Sequence, residues 1–190
     1  MSTSQSFSEI PCEKAYRLLH PRLVSLIVVS GMGRTNVMPV AWTMPVSVEP
    51  PLLAIAVSPK RFTYELLRKS GDFTLNVVPV SMVTTVSFLG KVSGRDVDKI
   101  SRGRLTLSPS RIVKSPRLSD PLAWLECKIE EEFPTGDHQL IIGRIVAAAA
   151  REGMFKERYD PVRAKVLLHL GGNDYATLAG KVVRPSGFSP

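Results

Sequence analysis

The stretch LAWLECKIEEEFPTGDHQLIIGRIVAAA (residues 122–149) reads as two long strands joined by a tight turn. Over Leu122–Phe133, Leu125, Cys127 and Ile129 alternate with Glu126, Lys128 and Glu130. That period of two suits a strand with one face on a core and its acidic and basic residues on the other. From His138 to Ala149 the second arm is apolar through Ile141, Ile142, Ile145 and Val146. Between the arms, Pro134-Thr135-Gly136-Asp137 supplies hairpin turn chemistry.

Working outward, more extended segments appear than helices. Leu23–Ser30 (LVSLIVVS) is rich in β-branched residues and ends at the turn Gly31-Met32-Gly33. Asn36–Thr43 (NVMPVAWT) continues as a second extended segment, and its Pro39 marks an edge or a bulge. Pro50-Pro51 precede the apolar strand Leu52–Val57, and Asp72–Val78 is a strand by composition. Three helices are expected. Glu13–Leu19 stops before Pro21. Phe62–Lys69 is closed by Gly71, and Val80–Leu89 is ended by Gly90. Lys91–Arg104 reads as a basic loop and Pro185–Pro190 as a loose tail. Strands arriving in sequence with few helices predict an antiparallel β-barrel or sandwich with small helices.

Composition removes several classes. A chain of 190 residues with 44% hydrophobic content suits one domain. No window approaches ~18 consecutive apolar residues, so no transmembrane helix is expected. Met1–Glu9 lacks the basic-then-apolar order of a secretory signal. Two cysteines make no disulfide framework, and Cys12 and Cys127 are expected to be buried. Cytoplasmic localisation follows. The net charge of +8 raises a single-stranded nucleic-acid alternative. Lys91–Arg117 carries +6 of it, yet contains no aromatic residue to stack on bases.

Motifs for familiar chemistries are missing. Gly31-Met32-Gly33 has Asn36 where a dinucleotide fingerprint needs its third glycine. There is no GxSxG, no Walker A and no HExxH, and His20, His138 and His169 lie far apart, so no metal site is expected. What remains is quieter. Met38, Trp42 and Met44 default to core packing, although Asn36 could read a heterocycle edge. Ser58-Pro59-Lys60-Arg61-Phe62-Thr63 stands at a helix start, where free N–H groups and the dipole favour an anion. N-capping with solvated charge explains the same residues. A turn accounts for Gly136 and Asp137 but does not need His138.

Taken in order, these segments resemble the flavin reductase-like family, whose members bind FMN in a split barrel. The resemblance runs through Asn36-x-Met38-Pro39-x-Ala41-Trp42, Pro50-Pro51, Ser58-x-x-Arg61-x-Thr63 and Gly71-Asp72-Phe73-x-x-Asn76-Val77. It continues through Phe88-x-Gly90-x-x-Ser93-Gly94 with Asp98-Lys99, Leu125-Glu126-Cys127, Gly136-Asp137-His138 and Gly143-x-Ile145-Val146. It implies a single domain over 1–190, with a core of about 12–180, folded as a mainly β, Greek-key antiparallel split barrel and working as a homodimer. The flavin ring would contact Asn36, Met38, Ala41, Trp42 and Thr43. Ser58, Arg61 and Thr63 would hold the phosphate or ribityl chain, and Ser93, Gly94 and Lys99 would cover the phosphate. Asn76 falls in the matching motifs and is taken as a further cofactor residue. His138 would donate a hydrogen bond and orient groups near the flavin face where nicotinamide stacks. The implied activity is hydride transfer from NADH or NADPH to FMN, with free flavin, ferric iron or another acceptor receiving the electrons. An electron-accepting protein or a monooxygenase is the implied partner, and an electron carrier without NAD(P)H activity is the alternative. Some relatives place a cysteine just after the Trp; here the residues are Thr43-Met44.

Overall fold

Residues 24–29 are apolar at five of six positions, so a strand built from them needs cover on both faces. The computed structural model describes residues 6–184 and gives that strand such cover. Ile27 and Val29 join one buried cluster with Ile55, Phe73, Cys127 and Ile141. Leu26 and Val28 join another with Val37, Val86, Leu89 and Leu167. The Pro185–Pro190 tail and the first five residues lie outside the described residues.

After a 3-10 helix (Cys12–Leu19) come strands β1 (Arg22–Leu23), β2 (Ser25–Gly31), β3 (Arg34–Val40), β4 (Thr43–Ser47) and β5 (Leu52–Val57). Helix α1 (Phe62–Ser70), β6 (Asp72–Val77), a 3-10 turn (Val80–Met82), α2 (Val83–Lys91) and α3 (Lys99–Arg102) follow. The chain continues with β7 (Leu107–Ser108), β8 (Arg117–Leu118), β9 (Ala123–Thr135), β10 (His138–Ala150), β11 (Leu168–Gly171) and β12 (Asp174–Ala176). Seven strands form one antiparallel sheet in the order β3-β2-β6-β9-β10-β5-β4. A smaller sheet, β1-β11-β12, lies beside it.

That order forces closure. β3 and β4 are the two edges of the sheet, yet only Ala41 and Trp42 separate them in sequence. Laid flat, seven strands would put their edges ~29 Å apart. Three Cα steps span at most ~11 Å. The sheet therefore rolls until its edges meet at this corner. The Trp42 carbonyl accepts from the Ala56 N–H at 3.0 Å, which pins the corner to β5. Pro39, which cannot donate to a ladder, sits on the edge strand, as expected.

The β9–β10 hairpin is as read: His138 pairs with Thr135, and Gly136 takes a φ of 60° at the turn. Gly71 closes α1 at a φ of 73°, donating its N–H to the Leu67 carbonyl. Other expectations need correction. The single segment Asn36–Thr43 is broken at Ala41-Trp42. Gly90 does not end its helix: α2 runs on to Lys91, and Gly90 packs beside Pro39. The basic loop contains α3, where the Asp98 carboxylate caps the N–H groups of Ile100 and Ser101 at 3.0 and 3.1 Å. Cys12 is exposed, whereas Cys127 is buried and burial pushes its thiol up to about 12.

Glu126 departs furthest from the alternating pattern. It is fully buried, and its Oε1 accepts from Arg111 N (2.7 Å) while Oε2 accepts from Ile112 N (2.7 Å) and Val113 N (3.2 Å). Asp72 does the same for Lys114 N and Ser115 N, both at 3.0 Å. Two buried carboxylates thus hold the loop 111–115. Arg111 of this loop and Arg117 of β8 each lie 5.1 Å from the Trp124 ring centroid.

Candidate functional site

Two adjoining cavities open where the barrel corner, the start of α1 and the 92–96 loop meet. The first, about 330 Å³, is lined by Met38, Pro39, Val40, Ala41 and Trp42 from the β3 edge and its corner, and by Ser58 and Arg61 after β5. His138 from the hairpin, with His169 and Tyr175 from the small sheet, completes its wall. The second, about 260 Å³, is lined by Asn36, Lys60, Arg61, Thr63, Lys91, Ser93, Gly94, Arg95 and Lys99. Met38, Pro39 and Arg61 line both, so the two form one groove with unlike ends.

The first end is aromatic. The Trp42 and His138 rings lie 4.8 Å apart at a tilt of 32°. His138 Nδ1 lies 2.7 Å from Asp137 Oδ1. A carboxylate only accepts, so that ring nitrogen carries the proton and Nε2 is left free. The same hydrogen bond holds the Asp137 carboxyl below its usual range. His169 is bound at Nε2 to the Gly172 carbonyl (3.1 Å) and stacks edge-on against His20.

The second end is cationic. All five of its charged lining residues are basic. Arg61 leads into α1, and its side chain makes no hydrogen bond to any described residue. Glu65 holds Arg95, which also donates to the Lys60 carbonyl (3.1 Å). Arg34 donates to the Gly94 carbonyl (2.6 Å), and its guanidinium stacks 4.7 Å from the Phe62 centroid. The 92–96 loop is thereby strapped over the helix start. Asn36 Nδ2 donates to Thr63 Oγ1 (2.8 Å) beneath it.

The structure brings Met38, Ala41, Trp42, Ser58, Arg61 and His138 to the first cavity, and Asn36, Thr63, Ser93, Gly94 and Lys99 to the second. Two residues do not join them. Thr43 begins β4 and lines neither of them but a third cavity of about 440 Å³, with Met44, Leu140 and Leu23, which adjoins the first through Trp42 and Ala56. Asn76 is fully buried: Nδ2 donates to the Leu26 carbonyl and Thr74 Oγ1, and Oδ1 accepts from Leu118 N. Its amide is spent on the sheet. Asn36 is corrected in part, since its amide lies at the cationic end and serves Thr63. Sequence reasoning does not find His169 and Tyr175, although the Gly171-Gly172-Asn173-Asp174 turn between short apolar segments marks a hairpin there.

The flavin reductase like domain family matches residues 16–178 of this chain. A Pyrococcus abyssi protein of uncharacterized function is 32% identical over 172 residues, covering 90% of this chain and 98% of that protein. The crystal structure of an FMN-binding protein from Thermus thermophilus, with bound 1-cyclohex-2-enone, superposes with a TM-score of 0.83. It is 30% identical, and the match covers 97% of this chain and all of that one. A flavoredoxin from Methanosarcina acetivorans shares the fold, with a TM-score of 0.84 at 24% identity and 96% of both chains covered. A chain that rolls a seven-stranded sheet into a split barrel and matches this family over most of its length belongs to the flavin reductase-like family. Among the described residues no helix is long and apolar enough to cross a membrane.

Proposed function

We propose that the protein binds FMN and catalyses its reduction by NADH or NADPH, passing the electrons to free flavin, ferric iron or another small acceptor. The observation that carries this reading is the single groove with an aromatic end and a cationic end joined at Arg61. Those ends suit a planar ring and a phosphate on one molecule. The donor set fits: Arg61 has an unspent guanidinium, and the helix start offers free N–H groups. Met38, Ala41, Trp42 and Ser58 would seat the ring, while Arg61, Thr63, Ser93 and Gly94 would hold the phosphate end. Bound FMN supplies a ring that accepts a hydride and releases electrons to an acceptor. The chain itself positions, donates hydrogen bonds and excludes water. His138, fixed by Asp137 and stacked on Trp42, presents Nε2 at the cavity wall to orient the nicotinamide.

Two expectations test the residue roles. Arg61→Ala should weaken FMN about tenfold at low ionic strength and less in high salt, because a charge-assisted phosphate contact is lost and salt screens what remains. Fluorescence titration at two salt concentrations reads this; an effect equal at both contradicts it. His138→Ala should slow reduction by NAD(P)H about tenfold while FMN stays bound. Loss of FMN instead would remove His138 from this role.

We also propose a cytoplasmic homodimer. Met44 and Val46 of the edge strand β4 are 53% and 42% exposed, and they continue to Val48 and to the cavity beside Trp42 and Leu140. A second copy covering this face would protect both the edge and the site. Sedimentation equilibrium decides it: a mass of one chain at micromolar concentration contradicts the dimer. Two unpaired cysteines suit a reducing compartment. A monooxygenase or electron-accepting protein is the proposed downstream partner. Small conjugated ketones, such as the Thermus protein holds, belong in the acceptor screen.

A further inference from the structure

The third cavity carries a single charge. Its wall is apolar where Leu23, Trp42, Met44, Ala56 and Leu140 form it, and Arg22 of β1 is its only ionised residue. Arg22 is half-buried, and its guanidinium carbon lies 5.9 Å from the Trp42 ring centroid. Its Nε donates to the Leu19 carbonyl at 3.3 Å, and its other N–H groups meet no acceptor among the described residues. No described carboxylate pairs with it. Those free N–H groups form the planar fork that matches a carboxylate.

Trp42 makes this wall rigid. Tyr16 meets its ring edge-on at a centroid distance of 5.7 Å, and His138 lies against it at 4.8 Å. The small sheet also pairs Arg22 with His169, which lines the first cavity. The cation, the indole and the first cavity are therefore held in one frame. At about 440 Å³ the space falls within the range of small-molecule sites. A neutral apolar ligand would leave the Arg22 fork without a counter-charge, and a bare inorganic anion would leave the apolar wall uncovered. A flat apolar body carrying one carboxylate answers both.

We propose that the third cavity is a binding subsite for a small aromatic monocarboxylate, with the carboxylate on the Arg22 fork and the ring among Trp42, Met44 and Leu140. The subsite stands on Arg22 and the cavity wall and needs no flavin. Its consequence rests on the flavin reading above. The third cavity meets the first at Trp42 and Ala56, so an acid bound here lies beside the ring seat. The subsite thereby selects which small molecules come next to the ring. A second copy lying over Met44 and Val46 would roof the cavity; a second copy whose side chains fill it is the competing occupant.

Equilibrium dialysis of the full chain against 1-naphthoate and its neutral isostere 1-naphthamide, with and without FMN at pH 7, tests this. The acid should bind at least about tenfold more tightly than the amide, because only the acid makes charge-assisted bonds to the fork. High salt should shrink that advantage, and FMN should not displace the acid. Arg22→Gln should abolish the advantage while amide binding stays unchanged, which also shows that the variant is folded. Arg22→Lys should keep part of it, since the charge remains and the fork is lost. Equal binding of acid and amide, or an Arg22→Gln variant that still prefers the acid, overturns the proposal. Displacement of the acid by FMN overturns it too, by placing the acid in the first cavity. Neither ligand bound at millimolar concentration by a chain that sediments as a dimer gives the cavity to the second copy instead. FMN binding is read separately in the same samples, so failure of the flavin reading leaves the acid result standing, and the reverse.

Discussion

Glu126→Ala should cost about 3–5 kcal/mol of stability, more than any substitution in the groove. The fully buried carboxylate accepts from three consecutive N–H groups, those of Arg111, Ile112 and Val113. Removing it strands three donors, each costing ~1–3 kcal/mol unless water enters. Alanine also leaves a void beside β9. Glutamine is a sharper probe. Its single oxygen can serve one side only, and its NH₂ would face an N–H donor on the other. A loss in the range ~2–4 kcal/mol is therefore expected even though the shape is kept. Urea unfolding measures both, and near-native stability of the glutamine variant contradicts the account. Domains carry only ~5–15 kcal/mol in total, so the alanine variant should be largely unfolded at elevated temperature.

Gly94→Val should weaken FMN about a hundredfold and destabilise the fold by ~1–3 kcal/mol. A Cβ at this position would lie 2.8 Å from Asn36 Cγ, closer still to its Oδ1, and 3.0 Å from Phe62 Cδ1. Both neighbours are held: Asn36 by Thr63, and Phe62 by its buried place in the core cluster at the start of α1. The strapped loop has to lift, and the cationic end of the groove opens with it. Fluorescence titration checks the affinity and thermal unfolding the stability. Wild-type affinity in Gly94→Val would mean that the loop does not close the phosphate end.

Local period and turn chemistry make the 122–149 hairpin, the strand Leu52–Val57 and the helix closed by Gly71 legible in the sequence, and the structure has them. The ordered motifs lead to the family and so to the barrel. Burial of Glu126 is hidden because its partners are backbone N–H groups of a loop without any pattern. Lys128 and Glu130 on the same face of β9 are not buried, so alternation alone cannot separate them. Asn76 and Asn36 look alike in a motif, yet one amide is locked inside the sheet and the other lies against the groove. In sequence the +8 charge looks like one basic patch in the 91–117 stretch. In three dimensions Lys91, Arg95 and Lys99 reach the groove, whereas Arg111 and Arg117 clasp Trp124. His169 and Tyr175 enter through β11 and β12, and only the folded chain brings that small sheet to the barrel corner.

The most direct measurement of the central claim is anaerobic reduction of the FMN-loaded protein by NADH and by NADPH, followed through the visible flavin absorbance. The account predicts that one of the two nucleotides bleaches the bound flavin at about one equivalent and faster than it reduces free FMN, and that admitting an acceptor restores the colour. Flavin that stays oxidised with both nucleotides would contradict the proposed reductase activity and leave a flavin-binding electron carrier. Failure to bind FMN at micromolar concentration would contradict the claim altogether.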